Sequence, residues 1–152
     1  MSDLYDTDFV RWAEEQAELL RKTGVEGRLL ANEQPDWSNI AEEIEGLAKA
    51  NRRELENRIR TILAHLIKLQ ASPATEPRAG WHETIIEARA QVRGLLKDSP
   101  SLVPTVAEVI ADELPTAREL ALTSLGDHGE QPRVDPAELN FTEDQVRGPW
   151  LP

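Results

Sequence analysis

From Ile40 to Leu69 the chain places apolar residues at helical spacing, through Ile40, Ile44, Leu47, Ala48, Leu55, Ile59, Ile62, Leu63, Leu66 and Leu69. Such spacing paints one oily stripe along one side of an α-helix. Asp36 is a credible N-cap, because its carboxylate can accept from the orphan amides of a first turn. Glu42, Glu43 and Glu45 near the start and Lys68 near the end suit the helix dipole. The pattern therefore predicts one helix from Asp36 to about Ala71, stopping before Pro73. Gly46 costs it roughly 1 kcal/mol against alanine and is expected to mark a close helix crossing. A helix of this length holds only if neighbours cover its stripe.

Those neighbours can be read on either side. Phe9, Ala13, Gln16 and Leu20 give a helix over about Asp6–Thr23, closed by Gly24, with Arg21 and Lys22 in its last turn. Val25–Gln34 is a connector, with a short turn expected around Arg28–Leu30. Ser72–Gly80 is a loop with two prolines. Trp81, Ile85, Ala88, Val92 and Leu95 predict a third helix to about Lys97, broken by Asp98-Ser99-Pro100. A fourth begins near Pro104 and runs to Leu125, with Gly126 as its cap. Pro115 lies inside it and cannot donate to the carbonyl of Ala111, so a kink is expected there. The rest, Asp127–Pro152, reads as an extended arm anchored by Phe141 and Trp150. Thr142 and Gln145 have capping-box spacing and predict one helical turn in it. No segment reads as a strand. The expected fold is all-α: four main helices in one bundle domain, residues 1–126, with residues 127–152 as a C-terminal arm packed on it.

Composition narrows the function classes. The 152 residues contain no cysteine, which excludes disulfides, thiolate metal sites and thiol nucleophiles. No apolar run is long enough to span a bilayer, and the first residues lack the pattern of a secretion signal, so a cytoplasmic protein without membrane contact is expected. With 17 basic and 28 acidic side chains the formal charge is −11. The charge is uneven. Residues 1–48 carry 4 basic and 12 acidic groups, net −8; residues 49–97 carry 10 and 5, net +5; residues 98–152 carry 3 and 11, net −8. The basic middle either complements the acidic ends or offers a local anion or nucleic-acid face, and the net charge favours the first.

Several short strings have a familial look. Glu42-Glu43-Ile44-Glu45, Arg58-Ile59 and Ala64-His65-Leu66-Ile67-Lys68-Leu69-Gln70 carry it, with Tyr5-Asp6-Thr7-Asp8-Phe9, Trp12, Trp81, Pro100-Ser101-Leu102, Ala117-Arg118 and the closing Thr142–Leu151. Together they resemble the bacterial domain-of-unknown-function family 29 over nearly the whole chain. Leu69 departs from that pattern, which leads one to expect an aromatic. The resemblance implies an all-helical bacterial cytosolic protein and implies no activity.

One constellation could carry chemistry. On a helical wheel Asn51, Arg58 and His65, spaced by seven, form a polar line along the edge of the long stripe, with Glu43 and Glu54 on the same side. Glu113 falls inside the stripe of the fourth helix and Arg89 borders that of the third. Isolated buried charges are costly, so Glu113 is expected to pair with Arg58 or Arg89. The structural reading is a satisfied network that sets helix register. The functional reading is a pocket in which Arg58 holds an anion and His65 relays a proton. A metal site using His65 with Glu43 or Glu113 ranks below both, because neither His65 nor His82 has a carboxylate three residues earlier. Neither the phosphate-cradling glycine loops nor the nucleophile elbow occurs, and no catalytic residue, metal ligand or cofactor is assigned. Lys49, Arg52, Arg53, Arg60 and Lys68 are expected on a solvated outer face.

The leading expectation is a non-catalytic interaction or regulatory module that binds a partner protein or a second copy of itself. The alternatives are a small-ligand or metal site at Arg58, His65 and Glu113, and nucleic-acid binding through the basic middle, which its lack of interleaved aromatics disfavours.

Overall fold

A computed structural model describes residues 3–27 and 35–152, and the turn expected at Arg28–Leu30 lies outside them. The described residues form helices α1 (Leu4–Thr7), α2 (Phe9–Gly27), α3 (Trp37–Ala71), α4 (Arg78–Asp98), α5 (Val106–Asp127) and α6 (Glu143–Arg147), with 3₁₀ segments at Pro100–Thr105 and Pro136–Glu138. No strand occurs among them. The fold is all-α, with four long helices, as the periodicity predicts. The chain divides into two compact units: Met1–Glu54 with Leu95–Val103, and Leu55–Gly94 with Pro104–Pro152.

In the first unit the Asp8 carboxylate does two jobs. It caps α2, accepting from the amide of Arg11 at 3.1 Å, and it accepts from the amide and hydroxyl of Ser101 at 2.7 and 2.8 Å. The amide of Val10 donates to the buried hydroxyl of Ser99 at 3.1 Å. Two orphan donors of the α2 first turn thus find side-chain acceptors. Arg21 meets Glu45 at 3.0 Å and Arg52 meets Glu14 at 2.6 Å, so α2 and the first half of α3 run antiparallel. Buried side chains on these segments include the small Ala13, Ala17, Ala41 and Ala48. A Cβ on Gly24 would lie 2.6 Å from that of Trp37, so backbone approach there needs glycine. Gly24 does not end α2, which continues to Gly27 because a glycine in helical conformation meets no barrier to the next turn. Gly46, in contrast, has nothing within 4 Å of a Cβ position, so the close crossing expected there is absent among the described residues.

In the second unit α3 is buried over most of its circumference. Leu55, Ile59, Ile62, Leu63, Ala64, Leu66, Ile67 and Leu69 are all buried. At 100° per residue they span an arc of about 220°, roughly twice the stripe of an ordinary surface helix. α4 starts at Arg78, earlier than its apolar pattern indicates, and the Arg78 guanidinium donates to the Leu69 carbonyl at the end of α3 at 2.7 Å. Asp36 caps α3 as expected, accepting from the Asn39 amide at 3.2 Å. α5 runs through Pro115 to Asp127. Its terminator is Gly129, not Gly126: at φ +66° Gly129 takes the left-handed conformation, and the amides of Gly129 and Glu130 donate to Gly126 and Leu125. The capping box of Thr142 and Gln145 is formed, and it opens α6.

Candidate functional site

The 220° arc leaves one face of α3 uncovered by apolar neighbours. Asn57, Thr61, His65 and Lys68 lie on that face; with Arg60 and Ala64 at the margin of the arc and Leu120 of α5 they line a groove of about 480 Å³. Leu120 is 50% exposed and forms an apolar wall. His65 is half-buried. Its Nδ1 lies 2.8 Å from the Thr61 carbonyl, which assigns the ring proton to Nδ1 and leaves Nε2 as an acceptor in the neutral form. Burial pushes the His65 imidazole below the usual histidine value; the Thr61 carbonyl opposes this and the Lys68 charge adds to it. Burial also lowers the Lys68 ammonium, against the attraction of Glu130. Lys68 Nζ stands 5.1 Å from the Trp81 ring centroid. No carboxylate lies within ion-pair distance of it among the described residues.

Glu113 faces a different partner from the two expected. It accepts from Arg60 Nε at 2.5 Å, and the pair raises the Arg60 pKa further above its ordinary value. Arg60 also donates through Nη1 to Asn57 Oδ1 at 3.3 Å. Arg89, the other expected partner, is 4% exposed and turns to the C-terminal arm, donating to the carbonyls of Val146, Gln145 and Trp150 at 2.9, 2.7 and 2.7 Å. Arg58 and Asn51 are half-buried, and Glu43 is exposed. Glu43 and Asn51 belong to the first unit, Arg58, His65, Arg89 and Glu113 to the second. The groove therefore includes His65 from the expected cluster, adds Arg60, Lys68 and Asn57, and leaves Arg58 off its lining. The wheel could have found Asn57 and Lys68, since they share the uncovered face with His65, with Arg60 at the margin of the arc. Assigning Arg60 and Lys68 to a solvated outer face concealed them. No group of three or more acidic or histidine side chains has metal-site geometry among the described residues.

A second feature lies in the first unit. Tyr5, Phe9 and Trp12 gather edge to face and stacked, with ring centroids 4.8 Å apart for Tyr5 and Trp12, 6.0 Å for Tyr5 and Phe9, and 5.7 Å for Phe9 and Trp12. Tyr5 is 55% exposed and the other two are half-buried.

The profile of the domain of unknown function DUF29 matches residues 4–148. The chain belongs to this family. An α-helical protein of unknown function from Rhodospirillum rubrum shares the fold, with a TM-score of 0.76 at 22% identity over 98% of this chain and 92% of that one. No curated protein matches the chain. Among the described residues no helix is long and apolar enough to cross a membrane.

Proposed function

We propose that the chain acts by binding another protein, without catalysis, through the aromatic surface that α1 and α2 present. The observation that carries this reading is the Tyr5–Phe9–Trp12 cluster. The chain has only seven aromatic side chains, and three of them meet here with one ring largely in solvent. Tyr and Trp concentrate at the anchoring centres of protein interfaces, where a pre-ordered ring loses little entropy on docking. The Asp8 bridge to Ser101 holds the start of α2 against the 3₁₀ segment. Asp3 and Asp6, both exposed, flank the rings. The matching partner surface is apolar with a basic rim.

The test is affinity capture from the native host with the wild-type chain and with Tyr5→Ala, which removes a mostly exposed ring. The expected result is a partner retained by the wild type and lost by the variant at an unchanged melting temperature. A strict monomer by light scattering that retains nothing, or equal retention by both chains, overturns the reading. Nucleic-acid binding has less support than it had from sequence: Lys49, Arg52 and Arg60 of the basic middle face Glu45, Glu14 and Glu113.

A further inference from the structure

We propose that the groove on α3 is an oxyanion site, in which Lys68 and, when protonated, His65 hold a phosphate-type group while Ala64 and Leu120 border the ligand's apolar part. The argument begins with charge. Arg60 is neutralised by Glu113 at 2.5 Å, so Lys68 is the cation that the groove lining leaves without a carboxylate in contact. Its Nζ has the Trp81 ring for company, and a ring face is a weak substitute for an oxygen acceptor. His65 spends Nδ1 on Thr61, which leaves Nε2 to accept from a ligand hydroxyl when neutral or to donate to an anion when protonated. Lining groups thus present one cation and one switchable nitrogen, one helical turn apart on α3, at a cavity of about 480 Å³. The half-exposed Leu120 wall favours an ester over the bare ion. The net charge of −11 repels anions at range, but screening over about 8 Å at physiological salt leaves the local field of Lys68 dominant inside the groove.

Lys68 and His65 also report each other's state. The groups that bear on His65 are Lys68 on its own helix and the Arg60–Glu113 pair that joins α3 to α5; Glu130, after α5, attracts Lys68, and α4 contributes the Trp81 ring. An anion placed among them stabilises both charged forms, so occupancy raises the His65 pKa.

The experiment titrates the full chain with inorganic phosphate, phenyl phosphate and sulfate at constant ionic strength and follows the His65 ring signals by NMR. Saturable shifts confined to the α3 face are expected, with roughly tenfold or greater weakening in Lys68→Gln, because a charge-assisted bond is removed, and no change in Asn57→Ala, which lies three turns away on the same helix. Melting curves confirm that each variant is folded. Sulfate keeps its charge between pH 5 and 8, and its affinity is expected to rise toward pH 5 as His65 protonates. Tighter binding of phenyl phosphate than of phosphate assigns an organic phosphate ester; equal binding assigns the free ion. Shifts that do not saturate, or that are the same in Lys68→Gln as in the wild type, overturn the proposal.

Discussion

Arg89 Nε donates to the carbonyl of Val146, 57 residues further along the chain, at 2.9 Å. The same guanidinium donates through Nη2 to Gln145 and Trp150. A buried charge thus has backbone carbonyls for partners, two of them in the last turn of α6, where carbonyls lack intrahelical donors. The consequence is an arm whose end is fastened by this side chain, while Arg118 holds it earlier, donating to the Leu139 carbonyl at 2.7 Å and to Asn140 Oδ1 at 3.1 Å. Val146, fully buried, and Phe141, whose ring centroid is 6.4 Å from that of Trp150, complete the attachment.

Arg89→Ala is therefore expected to destabilise the chain by about 3 kcal/mol, since bonds to a charged donor contribute roughly 1.5–3 kcal/mol each and are not additive. That corresponds to a melting temperature lower by roughly 6–12 °C at this chain size. Arg89→Lys should recover part of the loss, because one ammonium cannot span three carbonyls. A thermal melt measures both, and an unchanged Arg89→Ala melt would show that the arm does not depend on this contact.

Asp8→Ala removes an N-cap and two acceptor contacts to Ser101 in one step. The expected cost is about 2–3 kcal/mol, with Asp8→Asn retaining part of the cap. Denaturant unfolding of the three proteins checks the order. Equal midpoints would assign the bridge no energetic weight.

Stability should also fall in mild acid. The His65 pKa is held below its unfolded value chiefly by burial. Below about pH 6.5 the unfolded chain binds this proton before the folded one does. The contribution from neutral His65 is thus complete above that pH and is lost as pH falls through the folded pKa. Melting temperatures recorded from pH 8 to pH 5 should decline less steeply for His65→Gln than for the wild type; parallel curves would contradict the assignment.

The Arg60–Glu113 pair is partly screened, with side chains 33% and 13% exposed. A double-mutant cycle with Arg60→Ala and Glu113→Ala should give a coupling of roughly 1 kcal/mol. The same cycle on Arg58 and Glu113 should give none, which separates the observed pairing from the one suggested by the wheel.

At Gly129 the backbone φ is +66°, so Gly129→Ala should cost about 1 kcal/mol and Gly129→Asn less. Chemical denaturation resolves a difference of that size.

Periodicity alone located the four long helices, and the Asp36 cap and the Thr142–Gln145 box were legible because they are local bonds between near neighbours in sequence. Errors came where local chemistry left two options open. Gly126 and Gly129 are both plausible helix stops, and the choice depends on which residue adopts the left-handed conformation. Glu113 was read correctly as a charge needing a partner, yet Arg58, Arg60 and Arg89 all had the chemistry to serve. The Asp8–Ser101 bridge gave no signal, because ninety-odd residues separate its ends and each end resembles an ordinary capping residue.

What the order of residues determined by itself was the all-α class, the length of α3 and the presence of polar groups along its uncovered side, since these follow from side-chain spacing and backbone hydrogen bonding within a few residues. Only the tertiary structure decided that Arg60 takes Glu113, that Arg89 fastens the C-terminal arm, and that Leu120 of α5 walls a groove over His65 and Lys68. Each of those outcomes turns on distances of a few ångströms between groups far apart in the chain, and charge or polarity written along a sequence carries no such distance.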